Sequence, residues 1–257
     1  MIRSSLRLGA SLVLAYRLEV IVTILSAILV AGLNWSLWTA IFEGRPTVVG
    51  RTAHDLTTYV VIAWIVTTFH ATRIDEELGR RFREGLVATD LLRPWNFQAH
   101  LYFRELGRSS ATFVLATVPL LAFEIAVLPL RLPTHANTWV WFLASLLVAQ
   151  AVAFGIAWHV GLLAFRAGGT TGLSHLKATL SAVLSGALVP IDLYPEPLRS
   201  IVLALPYQAL SNVPANLFVE RVGPSALGLP IAWAAALWIS GSWAFARSRR
   251  RLVIQGG

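Results

Sequence analysis

Apolar positions fall in long runs along this chain, and its polar positions gather between them. A membrane-crossing helix takes about 20 mainly apolar residues, and six stretches answer to that pattern. They cover about 19–42, 55–73, 109–130, 137–165, 174–192 and 225–246. The first ends at the break Glu43-Gly44-Arg45-Pro46, and the third stops at Pro129 and Pro133. Pro119 and Pro230 fall inside predicted spans. Membrane bundles accept such residues when neighbours take up the freed backbone groups. The pattern predicts an all-α, polytopic membrane protein with six transmembrane helices in a single transmembrane domain, 1–257.

Two segments fit neither a span nor a plain loop. Residues 2–16 carry Arg3 and Arg7 on a short apolar repeat that is soon interrupted by Arg17 and Glu19. Without a small-residue cleavage site they read as an uncleaved amphipathic helix lying at the interface. Residues 193–219 are apolar, but Pro195, Pro197, Pro206 and Pro214 cut them into pieces too short to cross. Irregular backbone at membrane depth survives only under cover of protein or in a water-filled cavity. Two short helices, roughly 197–205 and 208–219, therefore predict a re-entrant hairpin between the fifth and sixth spans.

Composition supports lipid as the solvent: 56% of the 257 residues are hydrophobic and 13% charged, against roughly 25% charged in soluble domains. The chain has no cysteine, which excludes disulfides and thiol chemistry. The net charge of +8 comes from loops gathered on one side rather than from a nucleic-acid surface, and no nucleic-acid partner is expected. With the N-terminus inside, sixteen of the 21 Lys and Arg fall on the inner side. The outer side keeps Arg45, Arg51, Arg131, Arg199 and Arg221. That bias obeys the positive-inside rule and predicts that both termini are cytoplasmic.

The stretch "REGLVATDLLRPWNF" (83–97) then lies in the longest inner connection, 74–108. Counting Arg73 at its edge, that connection holds seven basic and six acidic residues with Leu86, Val87, Leu91 and Leu92 threaded among them. Mixed charge on an amphipathic element suits a protein partner better than anionic lipid alone.

Chemistry within the chain is sparse. There is no phosphate-binding loop, no H-E-x-x-H, no G-x-S-x-G and no metal-ligand spacing. "RAGGTTGLSHLK" (166–177) reads as a turn. Glu124 lies about fifteen residues into the third span, roughly 22 Å from the inner face. An intramembrane carboxylate is either a substrate or proton site, or a group hydrogen-bonded between helices. Gln150 and His159, nine residues apart in the fourth span, carry the same two readings. Together, the one-sided charge, the six spans, the large inner loop and the lack of a catalytic motif point to a transport subunit driven from outside itself.

Two motifs resemble a known family. "REGLVATDLLRPWN" is similar to the "G…(D)YLLLRPLN" element of ABC-2-type permeases, the membrane subunits of bacterial ATP-binding-cassette exporters. "LSGALVPIDLYPEPLRSIVLALPYQALSNVPANLF" (184–218) resembles that family's "SGAfiPldffP..l..i...lPf......P..iF". The "YLL" of the first motif reads "TDLL" here, and its "RPL" reads "RPW". The resemblance implies an exporter half in the bacterial cytoplasmic membrane. It would pair with an identical or related permease and take power from two separate ATPase subunits. ATP and magnesium would bind those partners, and this chain would hold no cofactor or metal. In the family the connection between spans two and three carries the coupling helix. Arg83, Glu84, Asp90 and Arg93 would be its charged contacts with the ATPase, and Leu91 and Leu92 its apolar ones. The hairpin 193–219 would cap the outer end of the pathway, with Pro190, Asp192, Pro195, Pro206 and Pro214 at that gate.

The expected substrate is an amphiphile or a drug, moved outward. Trp35, Trp38, Trp64, Trp141, Trp158, Trp233 and Trp238 supply aromatic surface that could stack on it, though most of them read as belt or packing residues. Two rivals remain: a proton-coupled secondary transporter using Glu124 and His159, and a membrane enzyme acting on lipids.

Overall fold

A computed structural model describes residues 2–15, 17–43, 47, 50–91, 96–127, 130–167 and 169–255. They are mostly helical, without a strand among them. Helix α1 (Ile2–Ala15) leads into α2 (Arg17–Phe42). Rather than offering both faces to an interface, α1 packs along a later helix, α6 (Phe97–Thr112). Ser5 and Gly9, one turn apart, face it. Ser5 Oγ lies 2.8 Å from His100 Nδ1. A methyl group on Gly9 would overlap the Arg104 carbonyl, and one on Gly107 would overlap the Leu6 carbonyl. The two backbones touch because each helix offers a glycine where the other crosses.

Helix α3 (Ala53–His70) is the axis of the molecule. It is apolar on every side, and Tyr59, Val60, Val61, Ile62 and Ala63 are all buried in succession, as a helix at the centre of a bundle requires. Thr52 caps it by accepting from the Asp55 amide at 3.2 Å.

The connection expected at 74–108 is mostly helix. It holds α4 (Ile74–Arg83), α5 (Leu86–Leu91) and α6, so the third long element begins at Phe97 rather than near 109. Asn96 starts it by accepting from the Ala99 amide at 3.0 Å. A π-helical turn, Phe113–Thr117, joins α6 to α7 (Val118–Val127). It ends two residues before Pro119, whose missing N–H interrupts the regular ladder. The unbroken rod Phe97–Val127 spans 31 residues.

Helix α8 (Ala136–Ala167) lies beside α3, and α9 (Thr171–Leu184) follows it. The predicted fifth span, to 192, is cut short. The chain leaves the helix at Ser185-Gly186, where Gly186 takes a φ of 82°, and turns through the 3-10 segment Ile191–Leu193. Then come α10 (Leu198–Ala204), α11 (Asn212–Phe218) and α12 (Gly228–Gln255). Helix α11 is buried along its whole length against α3 and α8. Phe218 meets Phe142 and Trp139 edge-on at 5.2 and 5.4 Å.

Four helices among the described residues are long and apolar enough to cross a membrane: Ile24–Phe42, Phe97–Val127, Ala136–Ala164 and Pro224–Ser248. Helix α3, at 18 residues, and α9, at 14, are the shorter elements at the other two predicted positions. Of the tryptophans, Trp158 is a packing residue, fully buried and donating from Nε1 to the Gly241 carbonyl at 3.2 Å. Trp141 and Trp243 are exposed.

Candidate functional site

The sequence of α4, "IDEELGRRFR", places acids in its first turn and bases in its last, the order the helix dipole favours. Ile74, Leu78 and Phe82, four residues apart, bury one face among Phe154, Ala157, Trp158 and Leu162 of α8. The other faces are held by charge. Glu77 accepts from Arg81 Nε at 2.8 Å and from Arg104 Nη1 of α6 at 2.8 Å, with Arg104 Nη2 on its second oxygen. Burial pushes the Glu77 carboxyl up. The hydrogen bonds and charge of Arg104, with Arg81, outweigh it and hold the group below its ordinary value. Asp75 is 0% exposed and takes Lys177 Nζ of α9 at 2.6 Å. Lys177 also donates to the Thr72 carbonyl at 3.2 Å.

Several predicted contact residues are engaged within the chain. Arg83 donates from Nη1 to Thr170 Oγ1 at 3.1 Å. Asp90 pairs with Arg81. Glu84 takes Arg80 at 3.1 Å in an exposed pair. What faces outward is the turn between α4 and α5: Arg83, Glu84, Gly85 and Leu86. Gly85 reverses the chain there with φ 69°, a left-handed conformation that glycine enters without cost. The Leu91 side chain, Leu92 and Arg93 lie outside the described residues. The charges that lock α4 were not among the predicted contacts, although two signals were legible: the i,i+4 pair Glu77/Arg81, and Lys177 as a lone cation in an apolar stretch.

Next to α4, a cavity of about 740 Å³ opens between α3, α6, α8 and α9, with Thr67, Thr68, Ser109, Thr112, Ile156 and Ser181 in its wall. A second cleft of about 730 Å³ adjoins it between α4 and α9 and shares Arg73, Arg80, Arg108 and Lys177.

At the opposite end, the hairpin is tied to the start of α3. Arg51, 1% exposed, donates from Nε to Asp192 Oδ2 at 2.9 Å and from Nη2 to Asn216 Oδ1 at 2.7 Å. Its guanidinium also lies 4.7 Å from the centre of the Tyr59 ring. Tyr59 Oη donates to Asn212 Oδ1 at 2.9 Å, and Arg199 adds a contact to Asp192 at 3.3 Å. The four described arginines at this end all have acceptors: Arg131 on Asp55 at 2.7 Å and Arg221 on the Gly50 carbonyl at 3.2 Å complete the set. Pro190 precedes the 3-10 turn that presents Asp192, and the Pro195 carbonyl accepts from the Arg199 amide. Pro206 opens the turn Pro206–Ala209. Pro214 sits in the first turn of α11, where its missing N–H costs little.

Beyond α11, Glu220 stands in the left-handed region at φ 56°. Its carboxylate accepts from Thr134 Oγ1 at 2.6 Å, from Thr138 Oγ1 at 2.9 Å, and from the Thr134 and His135 amides at 2.9 Å. The Thr134 hydroxyl leads, and with these other donors it overcomes the slight opposing burial to hold the carboxyl well below the usual range.

The three predicted pathway residues do not meet. Glu124 belongs to α7 near the hairpin end, and its side chain lies outside the description. His159 is near α4: Nδ1 donates to the Gly155 carbonyl at 2.8 Å and Nε2 lies 3.0 Å from Ser240 Oγ. Gln150 is buried at the middle of α8 with neither amide atom partnered. Neither Gln150 nor His159 lines the two cavities. Among the described residues no three His, Asp or Glu gather as a metal site.

Four helices long and apolar enough to cross a membrane among the described residues mark a multi-pass membrane protein. The chain belongs to the ABC-2 family: the model of ABC-2 family transporter proteins matches residues 28–256. It is a membrane permease of an ABC transporter, a non-catalytic subunit whose partner is an ABC ATPase. No curated protein and no solved structure matches the chain.

Proposed function

We propose that this chain is one half of an exporter, pairing with a second copy or a related permease above two ATPase subunits that dock on the α4–α5 turn. The observation that carries the reading is how α4 is held. Asp75 ties it to α9 through Lys177, Glu77 ties it to α6 through Arg104, and Leu78 and Phe82 pack it on α8, while its tip stays exposed. A push on that tip moves three membrane helices as one body, which is the mechanical need of alternating access. In this reading α3 and α9 complete six spans, and both termini face the cytoplasm of a bacterial cell. The hairpin 193–219 is re-entrant and closes the outer end. The cargo is an amphiphile, drug-like in size, moved outward when ATP draws the two ATPases together.

The test is a co-purification of the tagged chain, expressed with its neighbouring genes, in mild detergent. An ATPase should be recovered with the wild type and lost with Glu84→Arg plus Leu86→Glu at the exposed tip. A stable protein that recovers no ATPase would overturn the reading.

A further inference from the structure

The cavity beside α4 changes character along its depth. Near α4 its wall is basic, with Arg73, Arg80, Arg108 and Lys177; hydroxyls follow, and Phe69, Ala116, Ala153, Ile156 and Leu210 close the inner part. Five basic side chains and two carboxylates line it, and both carboxylates are taken. Glu77 is held by Arg81 and Arg104. Glu105 accepts from Thr72 at 3.0 Å and lies 3.5 and 3.8 Å from Arg104 and Arg108. Arg104, Arg108 and Lys177 are paired with Glu77, Glu105 and Asp75, and two bases are less committed. Arg73 is exposed, with no side-chain partner among the described residues. Among the described residues Arg80 pairs with Glu84 in an exposed contact, of little worth in water. A cation entering this cavity would find no free carboxylate; Glu76 lines only the adjoining cleft. An anion would find Arg73 and Arg80 at the mouth.

We infer that this cavity binds a single-chain anionic amphiphile, its phosphate, sulfate or carboxylate head between Arg73 and Arg80 and its alkyl tail among Phe69, Ala153, Ile156 and Leu210. Its volume, about 740 Å³, lies within the ~300–1,000 Å³ of ordinary ligand pockets. The head stays beside water at the α4 end while the tail is removed from it, which is where the hydrophobic gain arises. The inference rests on the permease reading only for placing that end in water, and binding needs no ATPase.

The experiment uses the full chain in phosphatidylcholine nanodiscs and equilibrium dialysis, with empty discs subtracted. Three radiolabelled probes share one tail and differ in head: dodecyl phosphate, dodecylphosphocholine and dodecyltrimethylammonium. Dodecyl phosphate should be retained far above the other two, and excess inorganic phosphate should leave it bound. Arg73→Glu, an exposed position whose change spares the core, should weaken it about ten-fold by replacing an attraction with a repulsion. Ala178→Trp, at the cavity wall, should abolish binding, and Arg3→Glu on α1 should leave it unchanged. Equal or stronger retention of the ammonium probe would overturn the inference. So would displacement by inorganic phosphate, which would mean an anion site without a tail pocket, or an unchanged affinity in well-folded Arg73→Glu. Binding retained by a protein that captures no ATPase would count against the permease reading alone.

Discussion

Removing the carboxylate of Asp192 would strand the Arg51 guanidinium, which is buried and would keep only Asn216 and the face of Tyr59 as partners. Leaving a buried charge unpaired costs on the order of 3–5 kcal/mol, whereas replacing both partners with apolar residues is often neutral. Asp192→Ala should therefore lower the unfolding temperature in detergent sharply, and Arg51→Met with Asp192→Leu should restore most of it. If the double variant is no better than the single, the penalty lies elsewhere. Glu220 gives a second test, in pH. Its folded pKa is depressed from an ordinary 4.5, so its contribution is complete above that pH and declines as the pH falls through it. Between about pH 5 and pH 3 the wild type should lose stability more steeply than Glu220→Gln. An equal slope would remove Glu220 from the account. At this scale the sequence was half legible. Asp192 stood out through its motif, but nothing near Arg51 marks it as the partner, because the two are joined only by tertiary packing. Arg51 read instead as one of a few basic residues on the minority side.

Helix identities could be read from the runs of apolar residues, and helix limits could not. The start of the third long element at Phe97 depends on the Asn96 cap, and the charged residues that follow it look like loop until Arg104 and Glu105 find partners on α4 and Thr72. The early end of α9 comes from Gly186 entering the left-handed region, which an apolar run through residue 192 conceals. The pairing of α1 with α6 shows the same limit. Amphipathic spacing announced a face on α1, but small residues at a crossing are silent in hydropathy. Gly107→Leu should push α1 off, since overpacking of this kind costs roughly 1–3 kcal/mol. The readout is a disulfide. In a chain with no cysteine, Ser5→Cys with His100→Cys should crosslink readily in the parent and poorly with Gly107→Leu added. Crosslinking at an equal rate would mean that α1 stays docked.

The bundle as a whole has two ends held by different means. Near α4, ion pairs join one short helix to α6 and α9; at the other end, Arg51 and Glu220 sew the hairpin and the loop before α8 to the core. If the first set transmits force, Glu77→Ala should leave ATPase capture intact while substrate-stimulated ATP turnover falls; unchanged turnover would assign transmission to the α4–α8 packing alone. The second set has a consequence for how the molecule is made. Arg51 and Asp192 are 141 residues apart, so at about 5–20 residues per second roughly 7–28 s of translation separate them. The tie between the start of α3 and the hairpin can close only once the ribosome has passed Asp192, in the last third of the chain. Until then the Arg51 guanidinium is without its Asp192 partner.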